Sequence, residues 1–299
     1  MGREGHSTYN FIRRYLPEQK LIIADAKQVE IDDPNVELIC GDGYLDAINR
    51  ADTVIKAPGV PLLHWKRPQG VEITCQTDLF LRYSGFNCVG VTGTKGKTTT
   101  STLIYSMLRA AGKEACLIGN MGYPVFDSLE DCAGETAVIE MSSHQLEFTS
   151  RSPHIAVLTN IYPEHLDHYD SFECYVGAKL NIVRNQGEGD TFIYNADQGL
   201  DGFFDLSEYP GEAVGVSVNT PDAEKYRDIN PHLLGEHNIQ NCMFAAEAAR
   251  RCGVSDEDIM RALKDYEGIE HRMEFFATVK GIKFVNDCIA TIPHSVMCA

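Results

Sequence analysis

Short apolar runs that break into glycine-rich turns, with helical spacing resuming after each turn, constrain this chain more than any other feature. The sharpest case is CVGVTGTKGKTTTSTLIYSML, residues 88–108. NCVGVTG reads as a buried strand, and Lys97–Ala111 as a helix stopped by Gly112. Similar strand-like runs recur at EACLI, TAVIEM, HIAVLTN and TFIYN, and amphipathic helices are expected at 171–183 and 235–253. Ser255-x-x-Asp258 offers a capping box for a further helix, and FFATVKGIKFVND reads as a hairpin turning at Lys280-Gly281. Such alternation predicts an α/β fold with a mostly parallel sheet. Nearer the start, a helix over MGREGHSTYNFIRRYL precedes strands at KLIIA and DTVIKAPG, and the chain passes into a second unit around 74–82.

Composition narrows the function classes. A net charge of -17 argues against nucleic-acid partners and anionic membranes, which reward a basic face. It leaves room for an anionic small molecule, because helix N-termini and a few lysines make a local positive pocket. No apolar run is long enough to span a bilayer, so membrane insertion is not expected. The ten cysteines include no C-x-x-C pair, and reduced thiols in a cytoplasmic protein are the expectation. The oligomeric state is not legible.

The chemistry starts at Gly93-Thr94-Lys95-Gly96-Lys97-Thr98, a shortened phosphate loop. The full G-x-x-x-x-G-K-[ST] pattern would need a glycine where Val91 stands. Backbone N–H groups at a helix N-terminus bind phosphate oxygens, and glycines let the backbone approach. Lys97 would then reach the β- and γ-phosphates of ATP and the Thr98 hydroxyl would ligate Mg²⁺. A glycine turn with a solvated lysine is the plainer alternative.

Glu140 ends the apolar run AVIE, well placed to hold Mg²⁺ beside a phosphate loop; alone, a solvent-facing glutamate would be the better reading. In TNIYPEHLDHY, His165 follows another strand, where it could meet a substrate phosphate or a second metal, or simply hydrogen-bond its own loop. Lys179 falls inside the apolar stripe Phe172, Tyr175, Val176, Leu180, Val183. A lysine held there would have its pKa lowered by desolvation, and a neutral amine can take up CO2 as a carbamate, a carboxylate-like metal ligand. It could instead snorkel to water.

Together VTGTKGKTTT, EMSSHQLE, TNIYPEHLDHY, YVGAKLNIV, GEHNIQN, HRMEF and NDCIAT resemble, in order, the motifs of the Mur ligases of peptidoglycan synthesis. GREGHST, IIAD and KAPGV are similar to the Rossmann-like N-terminal domain of the branch that joins D-glutamate to UDP-N-acetylmuramoyl-L-alanine. The resemblance implies a partial Rossmann-like unit over 1–74, without its first strand, and a central P-loop-type ATP-binding domain over 75–299. The family's C-terminal ligase domain has no counterpart here, so a poorly active form is expected.

By resemblance, ATP phosphorylates the substrate carboxylate and D-glutamate's amine displaces phosphate to form an amide. Gly93 to Thr99, with Asn238, Asn241, Arg272 and Asp287, would contact ATP. Thr98 and Glu140 would hold one Mg²⁺, and His165 with a carbamylated Lys179 a second. Asp25, Lys27, Gly59, Asn120, Ser142, Gln145 and His165 would face the UDP substrate. Cys288 and Ile289 depart from the family's usual pattern, which carries a lysine after Asp-Ser. Two other readings are a folylpolyglutamate synthase-like ligase, which shares the loop, and a non-catalytic module that binds a nucleotide or UDP-sugar.

Overall fold

The computed structural model describes residues 1–62, 68–119, 123–129, 132, 136–270 and 274–286. Arg272, Asp287, Asn120 and the Cys288-Ile289 departure lie outside the described residues.

The centre is a six-stranded parallel sheet in the order β10-β9-β8-β5-β7-β6. Its strands are β5 (Asn87–Thr92), β6 (Ala115–Ile118), β7 (Thr136–Glu140), β8 (Ile155–Leu158), β9 (Thr191–Asn195) and β10 (Glu212–Val216). β7 and β8 flank β5, so the chain leaves β5 on one side and returns on the other. Sites in open α/β sheets form at that reversal, beyond the strands' carboxyl ends.

Two cores follow from strand alternation. Val89, Val91 and Val138 pack toward α3 (Lys97–Ala110), α6 (Glu236–Arg251) and α7 (Asp256–Lys264). Cys88, Ala137 and Ile139 face the opposite way, toward α5 (Phe172–Arg184). Gly90 leaves no room for a side chain, because a Cβ there would lie 2.6 Å from Pro153 and 2.8 Å from Met141.

The first part of the chain forms α1 (Arg3–Tyr15) and two parallel pairs, β1 (Leu21–Asp25) with β2 (Val36–Cys40) and β3 (Thr53–Ile55) with β4 (Glu72–Thr74). α2 (Gln76–Tyr83) leads into the central sheet. Its Asp78, almost wholly buried, accepts hydrogen bonds from Thr74 Oγ1 and from the Ser150 N–H and hydroxyl, tying the two parts together. The short α4 (Ser143–Leu146) follows β7. The hairpin β11 (Glu274–Val279) and β12 (Ile282–Asn286) turns at Lys280 and Gly281, both with positive φ, where the sequence placed it. Ser255 caps α7 by accepting from Asp258 N and donating to its carboxylate.

The sequence reading missed β2, β4 and β10, each short and partly exposed. Its expectation of reduced thiols also differs from the structure at one pair. Cys116 on β6 is bonded to Cys132, with Cα atoms 5.3 Å apart. The sheet edge and the turn after Phe126–Ser128 bring the two together, a proximity that their spacing in sequence does not announce.

Candidate active site

The loop between β5 and α3 is shaped by two glycines. Gly93 has φ 153°, and a Cβ there would lie 1.9 Å from Thr159 Oγ1. Gly96 has φ 85° and abuts Asn241 Oδ1, at 2.4 Å from the position of its missing Cβ. Asn160 braces the middle of the loop: its backbone carbonyl accepts from Thr94 N and its side chain from Lys95 N. The Thr94 hydroxyl is buried against Tyr175 OH, at 2.9 Å. Thr94 and Lys95 therefore shape the loop with their own N–H groups committed inside the protein. That leaves the first turn of α3, where a helix leaves its N–H groups without intrahelical acceptors, as the part of the loop region suited to an anion.

Lys97 folds over the loop and donates to the carbonyls of Gly93, at 3.0 Å, and Thr94, at 3.1 Å. Thr98 Oγ1 donates to Glu140 Oε1 at 3.1 Å, so β7 brings the expected pair together. Asn241 and Asn238 are buried on α6; Asn241 accepts from Thr100 Oγ1 and donates to Asn238 Oδ1.

Lys179 lies in the stripe, 2% exposed, among buried Tyr175, Val176, Leu180 and Val183. Its Nζ donates to Gly93 O at 2.8 Å and sits 4.8 Å from the Tyr175 ring centre. Burial, and then the neighbouring Lys97 charge, hold its pKa well below the ordinary 10.5. The side chain is almost wholly withdrawn from water.

His165 adopts φ 57° and its ring centre lies 6.3 Å from that of Tyr175. Burial lowers its pKa. His144, inside the SSHQ stretch, packs edge-on to His165 at 4.7 Å and to His168 at 4.2 Å. Burial and then those two imidazoles keep it uncharged, with a pKa of about 3. His168 Nε2 lies 3.3 Å from Glu147 Oε2, and Lys56 Nζ lies 3.2 Å from the same oxygen. Lys95 pairs with Glu164 at 2.7 Å.

Among the described residues no three carboxylate, imidazole or thiol side chains form a metal cluster. Mg²⁺ asks for less, since it keeps several waters and takes one or two carboxylates with phosphate oxygens.

A cavity of about 840 Å³ begins at Thr98 and Glu140. It runs past Ser142 and Gln145 to Asp25, Ala26, Tyr44 and the turn at 57–60, which includes Gly59. Ser142 and Gln145 close a reciprocal capping box on α4, a signal present in the sequence as S-x-x-Q. Asp25 accepts from Lys27 N at 2.8 Å, while the Lys27 side chain stands outside the cavity wall on an exposed residue. Glu4 also lines the cavity, and burial pushes its pKa up to about 7 against the pull of Lys56.

The sequence reading did not single out Lys56, His144, Glu147, Asn160 or Glu164. Each acquires its role from partners far along the chain. Only His144 carried a local cue, its place in SSHQLE.

Residues 91–208 match the Mur ligase middle domain. The UDP-N-acetylmuramoylalanine–D-glutamate ligase of Clostridium kluyveri is 32% identical over 290 residues, covering 88% of this chain and 62% of that protein. The chain thus spans less than two thirds of the length of this relative. Two solved structures share the fold at 18% identity. MurF from Acinetobacter baumannii has a TM-score of 0.62, covering 97% of this chain and 64% of that one. MurF from Thermotoga maritima in complex with ADP has a TM-score of 0.60, covering 97% and 67%. The middle-domain match holds the phosphate loop, and the likeness to the Clostridium enzyme continues on both sides of it: the chain carries a Mur ligase middle domain over residues 91–208.

Proposed function

We propose that this protein is an ATP-dependent, ADP-forming amide ligase that joins D-glutamate to UDP-N-acetylmuramoyl-L-alanine in peptidoglycan synthesis, in the cytoplasm. The carrying observation is the single cavity joining Thr98 and Glu140 to the Asp25 and Gly59 walls. It has room for an elongated substrate whose uridine end lies in the 1–74 unit and whose carboxylate reaches the phosphate loop. A folate-type substrate would leave the Asp25 end without a purpose.

The residues divide the work by position. The helix α3 N-terminus and Lys97 hold the β- and γ-phosphates, and the Lys97 charge stabilises the leaving diphosphate. Thr98 and Glu140 would hold one Mg²⁺, whose charge offsets that of the phosphate oxygens. His165 and Lys179, the latter carbamylated, would hold a second. The buried amine fits that modification, because desolvation lowers its pKa and so favours the neutral form that is nucleophilic toward CO2. Asn238 and Asn241, with Arg272 and Asp287, serve the nucleoside side. Ser142, Gln145 and Asn120 serve the muramoyl part, and Asp25, Lys27 and Gly59 the uridine part. Catalysis then rests mainly on positioning and electrostatics, as expected for phosphoryl transfer.

Lys97→Ala is expected to weaken MgATP binding at least about tenfold, since charge-assisted contacts contribute roughly 1.5–3 kcal/mol. UDP-N-acetylmuramoyl-L-alanine should still bind the variant, and folate should bind neither form. Calorimetric titration checks all three. Unchanged ATP affinity would reject the loop's role, and folate binding in place of the UDP-sugar would reject the substrate.

A further inference from the structure

One half-buried carboxylate, Glu147, touches the supports of both the turn at 57–60 and the histidine row. Lys56 ends the β3 segment, with its N–H donating to Thr74 O at 2.8 Å, and the cavity-lining turn follows directly. Its side chain is 3% exposed, and its Nζ reaches Glu147 Oε2 and lies 5.4 Å from the Phe148 ring centre. Glu147 Oε2 also meets His168. His168 and Tyr169 both donate their backbone N–H groups to His165 O, at 3.0 and 3.2 Å, so residues 165–169 form one tight turn. His144 fills the space between the rings of His165 and His168. A shift of Glu147 therefore displaces His168, and the turn carries His165 with it.

We propose that Lys56 is a positioning residue: through Glu147 and His168 it sets where His165 stands, and so couples occupancy of the 57–60 turn to the phosphoryl end of the site. The proposal rests on the ligase reading for the identity of the ligand, though not for the existence of the strut. The pair makes a suitable strut because losing Glu147 would leave the almost wholly buried Lys56 ammonium uncompensated, so the geometry is held tightly. Coupling of this kind is a free energy shared by two sites through an element both bias.

The test follows histidine imidazole resonances by NMR, with His165 assigned from His165→Gln, as metal-free and ATP-free protein is titrated with UDP-N-acetylmuramoyl-L-alanine. In the unaltered protein the His165 signal is expected to move on binding. In Lys56→Met the affinity should stay within about threefold while the movement falls by at least about twofold, and Lys56→Arg should restore it. If Lys56→Met does not fold, Glu147→Gln carries the same comparison. A full His165 movement in the folded variant overturns the proposal. Failure of the unaltered protein to bind the UDP-sugar overturns the ligase reading instead. The strut is then judged on ligand-free spectra, where unchanged His165 and His168 signals in Lys56→Met would overturn it.

Discussion

Gly93→Ala is expected to abolish nucleotide binding and to lower folding stability by about 2–6 kcal/mol, combining backbone strain with overpacking. The added methyl would sit 1.9 Å from Thr159 Oγ1 and 3.2 Å from Asn160 N. Neither can yield cheaply. Thr159 Oγ1 donates to Lys95 O, and Asn160 holds the Thr94 and Lys95 N–H groups, so relieving the clash dismantles the loop. Gly93 O is also where Lys97 and Lys179 converge, and its displacement releases both. Gly112→Ala is the control: φ is 72° and nothing lies within 4 Å of the new atom. It should cost about 1–2 kcal/mol and leave nucleotide affinity unchanged. Urea unfolding and ATP titration of the two variants measure both effects, and an intact loop in Gly93→Ala would contradict the site geometry.

Lys179→Met is expected to stabilise the fold near neutral pH while eliminating metal-dependent phosphoryl transfer. The unfolded chain keeps this proton up to the ordinary 10.5, whereas the folded chain releases it at lower pH. Between those two values the unfolded state binds more protons, so the unaltered protein gains stability as pH rises. The penalty is full below the folded value and gone above 10.5. In CO2-free buffer the unaltered protein should therefore gain up to about 1.4 kcal/mol per pH unit relative to Lys179→Met within that window. Denaturant unfolding at several pH values reads the slope, and parallel curves would show that Lys179 is not desolvated. The catalytic half has its own check. Lys179→Ala should lose ADP formation and regain part of it with added short carboxylic acids, which stand in for a carbamate. No rescue, together with full activity in CO2-free buffer, would remove the carbamate from the account.

What could be read in the sequence was what local chemistry specifies. The strand, glycine turn and helix around Gly93–Thr98 were legible because Val89 and Val91 alternate into a buried strand and the glycines sit where φ turns positive. Lys179 was legible because the residues three or four positions away on the helix are apolar, and they are buried. β10 was not, since only Val216 of its five residues is buried and edge strands need little patterning. Lys56, Glu147 and the histidine row were invisible for another reason. A lysine after a short strand and a glutamate after a four-residue helix look like solvated charges until the fold sets them 3.2 Å apart. The Cys116–Cys132 pair belongs to the same class, since a sheet edge and a loop turn make it.

The central claim is that ATP and a UDP-linked carboxylate meet at Thr98 and Glu140, and trapping the activated carboxylate tests it most directly. Concentrated protein would be incubated at length with MgATP, UDP-N-acetylmuramoyl-L-alanine and hydroxylamine, and the products read by mass spectrometry. Attack of the carboxylate on the γ-phosphoryl releases ADP, and hydroxylamine then displaces phosphate to leave a hydroxamate. The predicted result is hydroxamate and ADP in equal amounts, both requiring the UDP substrate and both absent with Lys97→Ala. Binding of both ligands without hydroxamate or substrate-dependent ADP, under conditions where Lys179 is carbamylated, would contradict the account and leave a binding module in its place.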